Sequence, residues 1–227
     1  RGTPLFLLPQ IVYNDHNYHT CTEKEDHVLE QPERNQTEER NTPQQNFMLY
    51  LHDLVYLLAA IIVAFSLLFR VVVVSGPSMY HTLVDGDYLI LLSNTLYRSV
   101  KTGDIVVVSK QSFENGTPIV KRVIATEGQT VDIDFDAGTV SVDGVVLDEP
   151  YTNTPTNRQE GMTFPLTVSE GCIFVMGDNR NDSKDSRSTE IGLVDTREVL
   201  GKAVFLFLPG NNQGQEKANF KRIGVLS

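Results

Sequence analysis

The sequence predicts a mostly β fold, in which an antiparallel-sheet domain is preceded by one transmembrane helix. Two observations support this prediction. One long apolar run occupies residues 47–74, and short runs of β-branched or aromatic residues, most of them bounded by Gly, Asp or Pro, follow it. Many short strands without helical patterns between them are typical of an all-β or mostly β domain.

The composition excludes several classes of function. The 227 residues are 41% hydrophobic and carry 29 acidic against 19 basic side chains, a net charge of -10. Binding of nucleic acid requires clustered Lys and Arg, so we expect no nucleic-acid partner. Cys21 and Cys172 form no Cys-x-x-Cys motif, which indicates neither a zinc site nor a redox dithiol. We interpret Cys172 as a small core residue.

Residues 1–46 are predicted to be a disordered tail. Residues 23–46 are rich in Glu, Gln, Asn and Pro and poor in aromatic residues. Such a composition buries too little apolar surface to offset the entropy of ordering the chain. Because the first residue is Arg1 and not Met, we set residues 1–22 apart as a stretch that need not be native.

Residues 47–74 are predicted to be a transmembrane anchor. Between residues 54 and 69, Ser66 is the only polar residue, and apolar flanks extend the run. A membrane-spanning helix needs roughly 20 mostly apolar residues. The alternative interpretation is a buried core helix. The Lys and Arg residues on the two sides of the run do not indicate its orientation.

The main domain is predicted to occupy residues 75–208, with a small insert around 126–170 and a C-terminal tail at 209–227. Alternating polar and apolar residues around Asp136 to Gly138 are typical of a β-hairpin. The predicted strands are residues 87–92, 104–109, 118–125, 130–135, 139–144, 172–176 and 203–208.

A serine in a Gly-Pro-Ser-Met turn directly after the apolar run, Ser78, is a candidate nucleophile. A serine hydroxyl needs a base to become reactive. His81 lies three residues later, but no third group that would orient it is evident. A lysine can serve if burial removes its proton. Lys121 fits, because it lies inside the apolar strand "PIVKRVIA". His81 as the base, and Lys121 as an edge-strand residue that prevents aggregation, stay open as alternatives.

A third motif, "MGDNRNDSKDSR" at residues 176–187, gathers Asp, Asn, Arg and Ser after the strand "CIFV". The alternative interpretation is a surface loop capped by its own side chains. The spacing of its acidic residues does not match a calcium-binding EF-hand loop.

Four ordered motifs together resemble bacterial type I signal peptidases. They are "SGPSMYHTLVDGD", "GDIVVV", "VKRVIATEGQTVDI" and "GDNRNDSKDSR", and the similarity covers roughly residues 50–208. The short insert and the single span resemble the Gram-positive form. The resemblance implies a protease that removes signal peptides after small-x-small motifs, at the outer face of the plasma membrane, with no metal or cofactor. The partners it implies are preproteins, the lipid bilayer and the export machinery.

The resemblance also implies roles for individual residues. Ser78 matches the nucleophile, Lys121 the general base, and Ser183 the hydroxyl that orients the lysine. The supporting residues that it implies are Asp185 and Arg187 as a salt bridge, and Gly177, Asp178, Asn179 and Arg180 as the scaffold of the loop. The substrate pocket that it implies is lined by Met79, Val74, Leu83 and Val120.

Two departures from the family pattern are visible. Gly76 stands where some members carry a serine that donates to the oxyanion, so the backbone N–H of Ser78 would act without a hydroxyl neighbour. His81 stands where the family usually has proline. Two rival interpretations remain: a self-cleaving Ser/Lys protease of the repressor type, and a membrane-tethered β domain that binds a partner without catalysis.

Overall fold

The computed structural model describes residues 43–210 and 219–226. The described residues from Phe47 onward belong to one compact unit. The predicted disorder of residues 1–42 and the position of Cys21 lie outside the described residues. Within the described part, the structure confirms the prediction of a mostly β, antiparallel fold preceded by an apolar helix.

The helix α1 (Pro43–Leu68) leads into the β domain. Proline is favoured in the first turn of a helix because the N–H that it lacks would be unpaired there. Asn46–Leu68, 23 residues with a mean hydropathy of 2.2, is long and apolar enough to cross a membrane, and none of it is buried. A buried core helix would be covered by other elements, so the structure contradicts that alternative. A helix that is apolar on all sides and uncovered by protein suits a lipid environment.

The predicted anchor extends too far towards the C-terminus. The helix ends at Leu68, and the strand β1 (Phe69–Val73) follows at once. The run of valines favours a strand over a helix because β-branched side chains pack well on a pleated sheet. The candidate membrane helix is therefore joined directly to a sheet strand without a loop.

Twelve strands are present among the described residues. In chain order they are β1, β2 (Tyr88–Ser93), β3 (Ile105–Val108), β4 (Ile119–Thr126), β5 (Thr130–Asp134), β6 (Thr139–Val142), β7 (Val145–Val146), β8 (Leu166–Thr167), β9 (Cys172–Met176), β10 (Val194–Asp195), β11 (Val199–Leu208) and β12 (Gly224–Val225).

These strands form two antiparallel sheets. The larger sheet has the order β1-β2-β11-β3-β4-β9-β10, and β12 also pairs with β11. The smaller sheet has the order β7-β6-β5-β8, and its strands lie between residues 130 and 167, within the range around 126–170 that is predicted for the insert. Every residue of β3 is buried, as its uninterrupted apolar sequence predicts for an interior strand.

The core beneath the turn that carries Ser78 is apolar. Val74, Met79 and Leu83 are buried there with residues of β2, β3 and β11. Met79 and Leu83 are four residues apart, and the Leu83 N–H donates to the Met79 carbonyl at 2.8 Å, so their side chains share one face of a helical turn. This packing fixes the backbone on both sides of Ser78.

The predicted loose C-terminal tail is wrong for residues 219–226. A short 3-10 helix (Phe220–Arg222) precedes β12, whose Val225 pairs with Phe205 of β11. Arg222 forms a salt bridge with Asp87. The sequence did not predict these contacts, because a strand of two residues is too short to show a periodic pattern.

Candidate active site

The turn that carries Ser78 is held by its own backbone. The Tyr80 N–H donates to the Pro77 carbonyl at 3.0 Å, and the Gly76 N–H donates to Asp85 Oδ1 at 2.8 Å. Gly76 has φ +87°, a conformation that glycine adopts without strain. The Ser78 side chain is half-buried. The sequence Gly-Pro-Ser thus forms a tight turn that presents one hydroxyl at its end.

Strand β4 brings Lys121 to that hydroxyl. Lys121 Nζ lies 2.8 Å from Ser78 Oγ and 3.0 Å from the Val120 carbonyl oxygen. Only 3% of Lys121 is exposed, and it pairs with Val106 of the interior strand β3. The structure therefore contradicts the alternative of a solvent-exposed edge lysine. A serine and a lysine 43 positions apart in the sequence form a hydrogen-bonded pair.

Burial lowers the pKa of Lys121 to about 8, because the charged ammonium loses its hydration in the protein interior. The carboxylates of Asp185, Asp178 and Glu160 act in the opposite direction, since negative charge favours the protonated amine. Desolvation is the larger effect. The surroundings of Lys121 thus supply the property that a lysine base requires at mildly alkaline pH.

The loop at residues 177–187 holds the turn from the other side. The Asn179 N–H donates to the Ser78 carbonyl at 3.0 Å, and Asn179 Nδ2 donates to the Pro77 carbonyl at 3.1 Å. These two bonds join the loop to the residue that carries the candidate nucleophile. The "GDN" motif therefore contacts the turn directly and is more than a self-capped surface loop.

Asp185 and Arg187 form a buried ion pair within this loop. Arg187 Nη2 lies 2.8 Å from Asp185 Oδ2, and both side chains are fully buried. Asp185 Oδ2 also accepts from the Gly177 N–H at 3.0 Å and from the Ser183 hydroxyl at 2.9 Å. A buried ion pair is stable only when further hydrogen bonds satisfy its partners, and here they do.

Ser183 lies near Ser78 but makes no hydrogen bond to the Lys121 amine within the described residues. Among the described residues, the hydrogen bonds of Lys121 Nζ go to Ser78 Oγ and the Val120 carbonyl, whereas Ser183 donates to Asp185. The implied orientation of the lysine by Ser183 is thus not present as a hydrogen bond. Ser183 is instead bonded to Asp185, whose carboxylate acts to raise the pKa of Lys121 against the larger effect of burial.

Gly177 is packed too tightly to carry a side chain. A Cβ atom there would lie 2.2 Å from Ser183 Oγ and 2.5 Å from the Ser78 carbonyl oxygen. Real Cβ atoms do not approach other atoms so closely, and one of the contacts is backbone. The absence of a side chain at Gly177 therefore allows the loop and the turn that carries Ser78 to meet.

A second ion pair joins β4 to the same loop. Arg122 Nε and Nη2 donate to the two oxygens of Asp178 at 2.9 Å and 2.8 Å, and both side chains are buried. The Thr82 hydroxyl, four residues after Ser78, also donates to Asp178. Asp178 thus connects the strand of the lysine with the turn of the serine. Bidentate Arg–carboxylate pairs are the stronger class of ion pair.

Sequence reasoning missed the roles of Arg122, Thr82 and Glu149. Glu149 accepts two hydrogen bonds from Arg180, both at 2.6 Å, and this pair joins the loop to the segment that follows β7. The signal for Arg122 is visible in retrospect, since an arginine inside an apolar strand requires an acidic partner. No sequence signal identifies Glu149, which lies in a polar stretch 31 residues from its partner.

The residues implied for the substrate pocket lie together. Val74, Met79 and Leu83 belong to one buried apolar cluster, and the partly buried Val120 packs against it. Val120 immediately precedes Lys121, so this apolar cluster extends to the residue next to the buried amine. An open cavity of about 430 Å³ adjoins the turn and includes Gly76, Tyr80 and Asn179 in its lining.

His81 is not positioned as the base for Ser78. It is exposed, and its ring lies against Tyr80 with 4.1 Å between centroids. No hydrogen bond joins it to Ser78 in the part of the chain that the structure describes. That same part contains no group of three or more His, Cys, Asp or Glu side chains arranged to hold a metal. The geometry therefore favours Lys121 over His81.

The sequence is similar to known proteins over most of its length. A family model described as "Signal peptidase, peptidase S26" matches residues 47–208. Signal peptidase I of Bacillus licheniformis is 34% identical over 184 residues, which cover 77% of this chain and 96% of that protein. Signal peptidase I T of Bacillus subtilis (strain 168) is 35% identical over 158 residues, covering 66% of this chain and 79% of that protein.

A similar relationship extends beyond Bacillus. The probable signal peptidase I-1 of Synechocystis sp. is 34% identical over 170 residues, which cover 70% of this chain and 83% of that protein. These matches confirm the resemblance that the four motifs indicate. The chain belongs to the signal peptidase family, peptidase S26, and within it to the type I enzymes, which are serine endopeptidases.

Proposed function

We propose that this chain cleaves signal peptides from exported preproteins with Ser78 as nucleophile and Lys121 as general base. The observation that carries the proposal is the 2.8 Å hydrogen bond between Lys121 Nζ and Ser78 Oγ, with the amine almost fully buried. An uncharged amine at hydrogen-bonding distance can accept the serine proton. The family membership supports the substrate class.

In the first half of the reaction, Ser78 Oγ attacks the scissile carbonyl carbon while its proton passes to Lys121 Nζ. The carbonyl electrons move to the oxygen, which becomes an oxyanion. When the oxyanion collapses, the C–N bond breaks and Lys121 returns the proton to the departing amine. The products of this step are the free N-terminus of the mature protein and an ester between the signal peptide and Ser78.

In the second half, water hydrolyses the ester. Lys121 accepts a proton from the water as its oxygen attacks the ester carbon, and then delivers that proton to Ser78 Oγ as the serine departs. The lysine ends uncharged and the serine protonated, so the site is restored. The chemistry requires proton transfer and no change of oxidation state.

The oxyanion would be stabilised by the backbone of the turn. The Ser78 N–H donates no hydrogen bond within the described residues, whereas the Gly76 N–H is already bound to Asp85 Oδ1. A free backbone donor next to the nucleophile is suited to the developing negative charge. Gly76 offers no hydroxyl, so this backbone N–H is the donor that we assign.

Specificity for small side chains would follow from the apolar cluster next to the dyad. Val74, Met79 and Leu83 form a buried aliphatic cluster against which Val120 packs, and we propose that substrate side chains bound beside this cluster are small and apolar, such as alanine. Strand β1 forms one edge of the large sheet, and Val74 directly follows it. An extended substrate could add to the sheet as a further strand at this edge. These features support cleavage after small-x-small motifs.

We further propose that α1 anchors the enzyme in the plasma membrane with the β domain on the extracytoplasmic face, where exported preproteins emerge. The support is the exposed apolar helix Asn46–Leu68 and its direct continuation into β1. Lipids and the export machinery are the partners that this placement implies.

Cleavage of a model preprotein tests the proposed function. Purified protein in detergent is incubated with a preprotein that ends its signal peptide in Ala-x-Ala, and product masses identify the cleaved bond. We expect cleavage after the second alanine, and a loss of about 10-fold to 200-fold when a bulky residue replaces it, since shape differences in an apolar pocket discriminate by that order. Protein carrying Ser78→Ala controls for contaminating host enzyme. If the parent protein and this control gave the same products, the chain would be a non-catalytic binding domain.

A further inference from the structure

The C-terminal segment, residues 219–226, lies outside the region 47–208 that the family model matches, yet it contacts the loop that follows the nucleophile. We name residues 82–87 the nucleophile loop. Arg222 reaches this loop from a short 3-10 helix. The side chain that contacts the nucleophile loop is that of Arg222, whereas the neighbouring Lys221 is exposed.

The guanidinium of Arg222 makes three hydrogen bonds to the nucleophile loop. Nη1 donates to Asp87 Oδ1 at 2.9 Å, and Nη2 donates to Asp87 Oδ2 at 2.5 Å and to the Thr82 carbonyl at 3.1 Å. The planar fork thus joins the first and the last residue of the loop. A lysine could not reproduce this arrangement, because an ammonium is a point charge without a fork.

Asp87 organises the residues around it. Its carboxylate is fully buried and also accepts from the Val84 N–H and the Gly210 N–H, both at 2.8 Å. Its backbone carbonyl accepts from the Val74 N–H at 2.8 Å, on the strand side of the nucleophile. In the described part of the chain, Arg222 is the cation that forms a salt bridge with Asp87. Removing Arg222 would leave a buried carboxylate without its counter-charge, which is costly.

Thr82 connects the same contacts to the dyad. Its carbonyl accepts from Arg222, and its hydroxyl donates to Asp178, the partner of Arg122. Arg122 directly follows Lys121 on β4. The guanidinium of Arg222 therefore holds the backbone carbonyl of Thr82, four residues after Ser78, and the hydroxyl of the same residue is linked to the lysine strand through Asp178.

We propose that Arg222 is a positioning residue that sets the nucleophile loop, and hence Ser78 Oγ, at hydrogen-bonding distance from Lys121. This inference rests on the proposed function, because it assigns Arg222 a part in the Ser78–Lys121 reaction. Proton transfer between the two atoms requires close approach, and a misplacement of about 1 Å can lower a rate by about 100-fold. The C-terminal segment is thus part of the catalytic unit.

The test compares Arg222→Ala, Arg222→Lys and Lys221→Ala in the full chain. For each, we would measure kcat and KM on the model preprotein, the rate at which a serine-directed acylating probe modifies Ser78, and the thermal unfolding temperature. We expect Arg222→Ala to lower kcat and the acylation rate by about 10-fold to 100-fold, with KM nearly unchanged. Arg222→Lys should be intermediate, and Lys221→Ala should match the parent. Added methylguanidinium should restore part of the activity of Arg222→Ala, because it can occupy the vacated site.

Two results would overturn the proposal. One is an Arg222→Ala protein whose acylation rate stays within about twofold of the parent. The other is a loss of activity that merely follows the loss of folded protein and is not rescued by methylguanidinium, which would show a structural role alone. The acylation rate can be compared between variants even if the parent does not cleave preproteins, so failure of this inference and failure of the proposed function are distinguishable.

Discussion

Replacing Ser78 with alanine is expected to abolish cleavage, with a fall in kcat of about 10⁶-fold, the order found when a serine protease loses its nucleophile. The covalent intermediate cannot form without Oγ, and Lys121 has no proton to accept. Binding of the preprotein should remain, since the residues that we propose for the substrate pocket, Val74, Met79, Leu83 and Val120, are unchanged. The measurement is the rate of appearance of mature protein together with the affinity of Ser78→Ala for the uncleaved preprotein.

The control for Ser78→Ala is Ser99→Ala, because Ser99 is exposed and lies outside the site. Both variants should unfold at the temperature of the parent within a few degrees. A Ser78→Ala protein that kept measurable turnover above the level of a mock preparation would show that another group attacks the substrate, and the nucleophile assignment would be withdrawn.

Replacing Lys121 with methionine is expected to lower kcat by about 10⁴-fold, at the upper end of what a general base contributes. Methionine keeps a similar length and fills the same apolar space but cannot accept a proton. We expect the folded state to be as stable as the parent or more stable, because burying an amine costs free energy that a thioether avoids. Kinetics on the model preprotein and thermal unfolding of the same samples give the two quantities.

Lys101→Met is the matched control, since the Lys101 side chain is exposed and the hydrogen bonds of this residue to Asp104 involve its backbone N–H and carbonyl. His81→Ala addresses the rival base and should retain most of the activity, because the His81 ring lies against Tyr80 and away from Ser78. Activity that survived in Lys121→Met but disappeared in His81→Ala would reverse the assignment.

Much of the fold follows from local sequence patterns. Each of the seven predicted strands overlaps an observed one, because runs such as "DIVVVS" combine β-branched residues with Gly or Asp at their ends. The wrong or missing predictions concern segments whose local sequence pattern does not identify the structure that they adopt. The valines at 71–73 continue the apolar run, so hydropathy assigns them to the helix, whereas their β-branched side chains suit the strand that pairs with β2. The two-residue strands β7, β8, β10 and β12 are too short to leave a period.

Ser78 and Lys121 could be proposed as a candidate dyad from the sequence because each lies in a local context that indicates its chemistry. A serine in a Gly-Pro turn and a lysine in an apolar strand are each unusual, and the family motifs connect them. The roles assigned to these residues remain predictions, to which the structure adds a 2.8 Å distance and an almost fully buried amine. Long-range salt bridges such as Arg222–Asp87 and Arg180–Glu149 could not be predicted, since no local pattern specifies which distant acidic residue an arginine pairs with.

The central claim is that Lys121 is uncharged when it meets Ser78, and the pH dependence of kcat/KM tests it most directly. Burial lowers the pKa of Lys121 to about 8, so the active, neutral amine is lost as the pH falls below that value. With a substrate that carries no group titrating in the range, we predict that kcat/KM rises tenfold per pH unit below a midpoint near 8 and is level above it. A midpoint near 10.4, the ordinary value for lysine, or a rate independent of pH, would contradict the account.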